Sequence, residues 1–195
     1  MKFKESFLAH KYLDNLEGIE IGASAHNPFG LKNCKYVDKY EDMSTDYKKS
    51  EIELCGEALK PDIIAEGNQL PFEDSSLDYV ITSHVMEHFY DTIGVFKEWI
   101  RVVKDGGYIF TIFPHKERTF DKDKDLTTLQ ELIERHKENA LLASDKHHTI
   151  WTTKEAIEFC DYISKELGNI ELVEIQDIDD KVGNGFTFIV RVKKP

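Results

Sequence analysis

The sequence predicts an α/β fold with one mostly parallel sheet, and three observations support this. Short apolar runs alternate with helix-like segments along most of the chain, as in right-handed βαβ units. Several runs are apolar throughout, which is typical of parallel strands that are buried on both faces. The last two runs are joined by a turn that contains Gly183-Asn184-Gly185, which predicts a closing antiparallel hairpin.

The predicted strands and the first long helix follow one another in order. Seven strands with apolar centres are predicted at 19–22, 36–38, 62–65, 78–82, 108–113, 170–175 and 186–192. Between the fourth and fifth strands, Asp91 is placed to cap a helix whose apolar residues recur on one face. We expect Gly106-Gly107 to end this helix and to turn the chain into the fifth strand.

The pattern changes after the fifth strand. Residues from about 115 to 150 are rich in charge and poor in strand signals, which predicts an insertion that covers the substrate. One helix is expected within it, over about 127–137. Another helix is predicted to begin at Thr152 or Thr153 and to stop at Gly168.

The composition indicates a single domain, residues 1–195, with restricted partners. The formal net charge is −12 at pH 7, and an acidic surface repels nucleic acids and anionic membrane surfaces. We therefore expect a small-molecule substrate, no nucleic acid and no membrane, while the oligomeric state is left open.

A cytoplasmic location is expected from three further observations. No apolar run approaches the about 20 residues that span a bilayer. The first residues are too polar for a signal peptide. Cys34, Cys55 and Cys160 have no paired spacing, so we expect reduced thiols rather than a disulfide framework or a zinc ribbon.

The ends of the first two strands carry residues expected of a nucleoside site. Gly22 follows the first strand, where a glycine allows the backbone to approach a ligand closely. Asp38 ends the second strand, where a carboxylate accepts hydrogen bonds from both hydroxyls of a ribose. A tight turn followed by a surface aspartate would give the same pattern, so this pair alone leaves both interpretations open.

Several motifs, in this order, resemble class I S-adenosylmethionine-dependent methyltransferases, and the type 11 group in particular. The motifs are Glu20-Ile21-Gly22, Asp38, Leu70-Pro71-Phe72 with Asp74, Ser76 and Asp78, Ser83-His84-Val85-Met86-Glu87-His88, and Trp99-x-Arg101-Val102-Val103-Lys104-Asp105-Gly106-Gly107. The resemblance covers about residues 18–115 and the closing hairpin. It implies a Rossmann-like, seven-stranded methyltransferase sheet with helices on both faces, and S-adenosyl-L-methionine as the cofactor.

The resemblance also implies roles for particular residues. It implies that the cofactor-binding residues are Glu20, Gly22, Ala23, Ser24, Asp38, Glu66, Asn68, Leu70, Ser83 and His84. Glu20 and Gly22 are expected beside the methionine part, Asp38 on the ribose, and the loop at 66–70 beside the adenine. Ser83 and His84 are expected on the sulfonium side. Ser24 and His26 replace two glycines of the family's glycine-rich run, which keeps a non-catalytic binding module as an alternative.

Three histidines are candidates for a catalytic base. His115 follows the fifth strand, whose end faces the same crevice as the cofactor loops, and His147 and His148 lie in the insertion. A side chain with an ordinary pKa of about 6.5 suits the removal of a proton from a hydroxyl or amine. His115 is the first candidate, His148 the second and His147 a possible partner. The three could instead be surface residues, or bind a divalent metal with Asp145, although the favoured prediction includes no metal.

The predicted substrate contacts are His88, Arg118 and Trp151. Arg118 belongs to a basic cluster that could hold a phosphate or carboxylate, although interleaved acids also indicate a solvated loop. His84, Glu87 and His88 also form the H-x-x-E-H pattern of inverted zinc proteases. That function needs one long helix, whereas here a strand ends directly before the motif and Asp91 begins a new helix just after it.

The favoured interpretation is methyl transfer from S-adenosylmethionine to a small acceptor. The elements around His115 and Trp151 look similar to methyltransferases associated with surface-polysaccharide decoration, which implies O-methylation of a sugar or a small phosphorylated group. The alternatives are the non-catalytic module and a metal-dependent hydrolase built on His84, Glu87 and His88.

Overall fold

Seven strands form one mixed sheet within the described part of the chain. The computed structural model describes residues 3–23, 28–42, 44–138 and 142–194. The strands are β1 (Gly18–Ile21), β2 (Cys34–Asp38), β3 (Ile63–Ile64), β4 (Leu77–Ser83), β5 (Val103–Pro114), β6 (Ile170–Gln176) and β7 (Gly185–Val192). Their order is β3-β2-β1-β4-β5-β7-β6, with parallel pairing from β3 to β5 and antiparallel pairing of β7 with both β5 and β6. The predicted mostly parallel sheet with a closing hairpin is confirmed.

Five α-helices accompany the sheet in the same residues. They are α1 (Phe7–Leu13), α2 (Asp46–Cys55), α3 (Thr92–Val102), α4 (Leu129–Glu138) and α5 (Thr153–Leu167), with short 3-10 helices at Met86–His88 and Lys116–Arg118. Two of them lack a clear sequence signal and were not predicted: α1 is only two turns long, and the sequence of α2 is largely polar. None of the described helices combines the length and the apolar character needed to cross a membrane.

Local capping residues set the ends of α3 and α5 as predicted. Asp91 accepts a hydrogen bond from the backbone N–H of Gly94 (2.8 Å), so it caps α3. Thr152 and Glu155 form a capping box at the start of α5, and Gly168 ends this helix with a left-handed φ of 65°.

The predicted end of α3 at Gly106-Gly107 is wrong. The helix ends at Val102, and Gly107 lies inside β5, opposite β4. A Cβ atom at Gly107 would lie 2.4 Å from the carbonyl oxygen of Asp78, so the glycine allows close approach of the two strands. The pairing of β4 with β5 also shifts register between Leu77 and Tyr79.

Helices cover both faces of the sheet, because alternate strand residues enter two separate cores. On one face, Val80 and Ile109 pack in the cluster that contains Phe96 and Trp99 of α3 and Phe159 of α5. On the other face lies a second cluster, formed by α1, strand residues and the loop after β1, with Leu8, Leu13, Phe29, Tyr79, Ile81, Phe110, Ile112 and Ile189. The predicted burial of the central strands on both faces is confirmed.

The strand order places a switch point between β1 and β4. From β1 the chain continues outward to β2 and β3, and it then returns to β4 on the other side of β1. Ligands in open α/β sheets bind at such a point, beyond the carboxyl ends of the strands. The segment between β5 and α5 approaches this edge, since the N–H of Ser144 donates to the carbonyl of His88 (3.1 Å).

Candidate functional site

A cleft opens at the carboxyl edge of the sheet, beside the switch point. Its walls are the loops that follow β1, β2, β3 and β4, and residues 143–145 close one side. The predicted site residues that line it are Gly22, Asp38, Glu66, His84 and His88. Four strand ends and the predicted insertion therefore contribute to one concave site.

Several residues of the cleft wall were not predicted from the sequence. Lys39 and Tyr40 line it directly after Asp38, and Phe89 lines it after His88. Ser144 also lines it, from the segment between β5 and α5. Their position just after strand ends was the available signal for Lys39 and Tyr40, whereas no local pattern marked Ser144.

Gly22 is required at its position by backbone geometry. Its φ is 68°, in the left-handed region that favours glycine. A Cβ atom there would lie 2.6 Å from Cγ2 of Val85, and the N–H of Gly22 donates to the carbonyl of Val37 (2.9 Å). The chain therefore leaves β1 by a turn that only glycine fits, and the bare backbone faces the cleft.

The carboxylate of Asp38 is held in a fixed orientation at the end of β2. Its Oδ1 accepts a hydrogen bond from the N–H of Tyr40 (3.1 Å), and its Oδ2 accepts one from Nζ of Lys48 (3.0 Å). Lys48 is fully buried, and its Nζ also donates to Glu51 (3.1 Å). Asp38 thus combines a place on the cleft wall with a buried ion pair.

The H-x-x-E-H segment forms a turn at the end of β4. His84 has a left-handed φ of 54°, and only Met86–His88 is helical, as a 3-10 turn. The inverted zinc-protease interpretation is wrong, since it requires both histidines on one long helix. His84 and His88 instead line the cleft, where the sequence predicts a cofactor contact and a substrate contact, respectively.

Burial changes the protonation of the groups beneath this turn. Burial, with repulsion from Asp121, raises the pKa of Glu87 to about 8. Burial and the neighbouring His147 lower the pKa of His88 to about 4. At neutral pH the His88 ring is therefore neutral.

His148 is connected to the cleft through Ser144. Its Nε2 lies 2.8 Å from Oγ of Ser144, which lines the cleft. Burial, with the positive charges of Arg135 and Lys146, lowers the pKa of His148. A neutral imidazole beside a hydroxyl at the wall is able to accept a proton.

His115 and His147 lie outside the lining of the cleft. His115 caps the 3-10 helix Lys116–Arg118, with its Nδ1 accepting a hydrogen bond from the N–H of Glu117 (3.2 Å). A neutral ring that accepts at Nδ1 carries its proton on Nε2, so His115 lacks a free basic nitrogen. His147 is turned towards Asp121, with 2.6 Å between Nδ1 and Oδ2.

Two predicted cofactor residues at the end of β1 are not at the cleft surface. Glu20 is buried and accepts a hydrogen bond from the N–H of Phe29 (3.1 Å). Burial raises its pKa and lowers that of the neighbouring Lys181. Ala23 is buried beside Asp38 and Lys48. From this strand end, Ile21 and Gly22 line the cleft instead.

Three more predicted cofactor residues lie behind the wall. Asn68 lines a separate surface depression with Asp91 and Arg101. Leu70 is buried, and its carbonyl accepts a hydrogen bond from Arg101 (3.1 Å). Ser83 is buried as the last residue of β4. Of the predicted adenine loop, the structure brings Glu66 and Gly67 to the cleft.

The predicted substrate contacts Arg118 and Trp151 are structural residues. Trp151 is 1% exposed and stacks on Phe113 of β5, with ring centroids 4.9 Å apart. Arg118 donates to the carbonyl of Gly185 (3.1 Å) and pairs with Asp177 (3.1 Å), which connects it to the β6–β7 hairpin. Both side chains were predicted to contact the substrate, but they make contacts within the fold instead.

The predicted metal set of His115, His147, His148 and Asp145 does not form among the described residues. Their rings have separate partners, and Asp145 is exposed and lies 3.8 Å from Nζ of Lys39. Ser24, the remaining predicted cofactor residue, lies outside the described residues.

Comparison with known proteins identifies the domain type. Residues 26–111 match the family model described as a methyltransferase domain. The sequence has no significant match among curated proteins.

Solved structures share the fold at low sequence identity. A SAM-dependent methyltransferase from Thermotoga maritima, described as a possible histamine N-methyltransferase, has a TM-score of 0.56 and 18% identity, with 96% of this chain and 93% of that chain covered. A SAM-dependent methyltransferase from Methanosarcina mazei has a TM-score of 0.55 and 14% identity, with 100% of each chain covered. Phosphoethanolamine N-methyltransferase 2 from Haemonchus contortus, in complex with S-adenosyl-L-methionine, has a TM-score of 0.55 and 15% identity, with 95% of this chain and 51% of that chain covered.

Proposed function

Because the chain is a class I S-adenosylmethionine-dependent methyltransferase of the type 11 group, we propose that it methylates a hydroxyl of a small-molecule acceptor bound in the cleft. The observation that carries this proposal is the composition of the cleft wall. Gly22 and Asp38 lie on the sheet side, and residues 143–145 close the opposite side. In this arrangement, the sheet side of the cleft would hold a nucleoside cofactor, and the side closed by residues 143–145 would hold a small acceptor.

S-adenosylmethionine is the cofactor, and it supplies a methyl group on a positively charged sulfur. We assign the ribose hydroxyls to Asp38, since the Tyr40 and Lys48 bonds hold its carboxylate in place. The backbone at Gly22 allows close approach of the methionine part. His84, at the end of β4, borders the sulfonium side, and Glu66 borders the adenine side.

The charge of the cleft wall favours an acceptor without a phosphate. The described lining carries the acids Asp38, Glu66 and Asp145 against a single lysine, Lys39, and contains no arginine. A phosphate group needs cationic partners, and the predicted one, Arg118, is engaged with the hairpin. Of the two acceptor classes that the resemblance implies, a sugar hydroxyl therefore fits the cleft better than a phosphorylated group.

We assign the general base to His148, acting through Ser144. Bound S-adenosylmethionine would supply the methyl group to the acceptor oxygen. The hydroxyl proton would pass to Ser144, while Ser144 gives its own proton to Nε2 of His148. The 2.8 Å contact between Oγ and Nε2 supports this transfer. Positioning of the two reactants contributes the rest of the acceleration.

A second candidate, N-methylation of a small amine, is favoured by the same acidic wall. Glu66 and Asp145 would attract a protonated amine to the cleft, where His148 would receive the proton that the amine loses. The context of surface-polysaccharide biosynthesis rests on the resemblance of the His115 and Trp151 elements alone.

The test combines cofactor binding with acceptor screening. Calorimetry with S-adenosylhomocysteine is expected to show one site per chain. Methyl transfer from labelled cofactor is then measured on nucleotide-free sugars, sugar phosphates and small amines. No binding of S-adenosylhomocysteine would overturn the proposal. Tight binding without turnover on any acceptor would favour the non-catalytic module, and turnover on amines alone would select the second candidate.

A further inference from the structure

Glu87 is a fully buried carboxyl group beneath the cleft wall. Its exposed fraction is 0%, and neither of its carboxylate oxygens has a hydrogen-bond partner among the described residues. A buried polar group without a hydrogen-bond partner is costly, so each such group in a native structure calls for an explanation, such as an ion bound beside it. The residues around Glu87 therefore have to account for its burial.

Three histidines place a ring nitrogen near the same oxygen of Glu87. Nδ1 of His84 lies 3.8 Å from Oε1, Nε2 of His88 lies 3.9 Å from it, and Nε2 of His147 lies 3.8 Å from it. Of these residues, Glu87, His88 and His147 each offer one ligand atom within 4.8 Å of the other two. His88 belongs to the turn after β4 and His147 to the segment between β5 and α5, so only the fold brings them together.

The other nitrogen of each ring is already occupied by an acceptor. Nδ1 of His88 lies 3.1 Å from the carbonyl oxygen of Ser144. Nδ1 of His147 lies 2.6 Å from Oδ2 of Asp121. Carbonyl and carboxylate oxygens only accept, so each Nδ1 carries a proton. The Nε2 atoms are therefore the nitrogens that remain to bind an ion, and both lie on the side of Glu87.

The distances fit a bound ion better than a direct hydrogen bond. A hydrogen bond between nitrogen and oxygen spans at most about 3.2 Å. Two ligands of a tetrahedral zinc ion, each bound at about 2.1 Å, lie about 3.4 Å apart. The observed 3.8 and 3.9 Å need a contraction of about half an ångström around an ion, and all three ligand atoms, which lie within 4.8 Å of one another, would draw together.

We propose that Glu87, His88 and His147 bind a divalent transition-metal ion, with Zn²⁺ as the ion that suits these donors best. Asp121 does not bind the ion but supports His147, because its Oδ2 lies 2.6 Å from Nδ1 of that ring. A carboxylate that accepts from the distal nitrogen of a metal-bound histidine is a common support in such sites. Asp121 is itself held by Lys124, with 2.6 Å between Nζ and Oδ1.

The metal site adjoins the cleft. His88 lines the cleft and also supplies Nε2 to the cluster. Three protein ligands leave a coordination position open, which is the arrangement of catalytic rather than structural zinc sites. An acceptor oxygen bound there would be polarised towards loss of its proton. This catalytic role rests on the proposed function, whereas binding of the ion does not.

Metal binding is tested on the full chain after removal of metals with a chelator. Zn²⁺ affinity is measured by competition with a chromophoric chelator, and the metal content is measured by elemental analysis. The wild-type chain is expected to bind one equivalent. Glu87→Gln, His88→Gln and His147→Gln are each expected to weaken binding at least about 100-fold, and Asp121→Asn about 10- to 100-fold. Mg²⁺, which prefers oxygen ligands, is expected not to compete.

The control is His136→Gln. This histidine also pairs with a carboxylate, since its Nδ1 lies 2.9 Å from Oδ2 of Asp91, but it is remote from the cluster in the contacts described. It is expected to retain one equivalent at wild-type affinity. Equal Zn²⁺ affinity in the wild type and in all three ligand variants would overturn the proposal and indicate adventitious binding. So would equal weakening by His136→Gln.

Two further measurements distinguish a misfolded variant from a lost metal site, and a wrong metal site from a wrong function. If a ligand variant is unfolded by circular dichroism, Co²⁺ added to the wild-type chain decides instead. A four- or five-coordinate visible spectrum supports the site, and a spectrum of hexaaqua Co²⁺ overturns it. Calorimetry with S-adenosylhomocysteine is repeated on the metal-free chain. If the chain binds Zn²⁺ but not S-adenosylhomocysteine, only the proposed function is overturned. If it binds S-adenosylhomocysteine but not Zn²⁺, only the metal site is overturned.

Discussion

Nζ of Lys48 lies 3.0 Å from Oδ2 of Asp38, and this lysine is fully buried. The residue assigned to the ribose is thus also the partner of a buried charge. From the sequence, Asp38→Ala would affect only the cofactor. The structure changes that expectation, because loss of the carboxylate leaves the buried ammonium with fewer acceptors.

We expect Asp38→Ala to lower both stability and cofactor affinity. The free energy of unfolding should fall by about 1–3 kcal/mol, and the Kd for S-adenosylhomocysteine should rise about 10- to 100-fold through loss of hydrogen bonds to a charged group. Denaturant unfolding and calorimetry measure the two effects. The triple variant Asp38→Ala, Lys48→Met, Glu51→Leu removes all three charges of the buried ion-pair cluster, so it should recover stability without recovering affinity. Wild-type affinity in either variant would refute the ribose assignment.

Gly22→Ala should weaken cofactor binding by displacing the cleft wall. The added Cβ would lie 2.6 Å from Cγ2 of Val85, and the left-handed φ of 68° adds strain. Gly56→Ala is the matched control, because its φ is 89° and no heavy atom lies within 4 Å of the added Cβ. The left-handed backbone should cost both variants about 1–2 kcal/mol of stability, the contact with Val85 should add to the loss in Gly22→Ala, and only Gly22→Ala should raise the Kd. Equal Kd values would show that this backbone does not approach the cofactor.

The methylation rate should fall at acidic pH as His148 becomes protonated. A protonated ring cannot accept a proton, so activity requires a pH above the pKa of His148. Burial and the nearby Arg135 and Lys146 lower this pKa from its ordinary value of 6.5, so the half-maximal rate should lie below pH 6.5. A pH profile of kcat measures this.

Two variants distinguish the candidate bases. His148→Gln should reduce kcat about 10²- to 10⁴-fold and remove the acidic limb of the profile. His115→Gln should retain that limb, since Nδ1 of His115 accepts a hydrogen bond from Glu117. The opposite result would return the base to His115, as the sequence predicted.

Trp151→Ala should destabilise the fold rather than change acceptor recognition. Trp151 is buried against Phe113, and removal of a buried tryptophan costs about 3–5 kcal/mol. Phe7→Ala, at a position that is 74% exposed, serves as the control and should change stability by less than about 0.5 kcal/mol. Thermal and denaturant unfolding measure both. A raised KM with unchanged stability would instead support the predicted substrate contact.

The sequence by itself determined the order of most elements and the strand ends at which the cleft lies. Hydrophobic runs and caps act locally, so Asp91 and Thr152 began the helices that they were predicted to begin. Parallel strands end at one edge of the sheet, so residues that follow β1, β2 and β4 had to converge there. Gly22, Asp38 and His84 line the cleft for this reason.

Tertiary structure alone decided which polar side chains are available to a ligand. Trp151 and Arg118 had the right chemistry for a substrate, but packing on Phe113 and pairing with Asp177 engage them elsewhere. The cluster of Glu87 and His147 has no local signal, because its members come from distant parts of the chain. Residue type and spacing specify local conformation, whereas burial and partners between distant segments are properties of the packed chain.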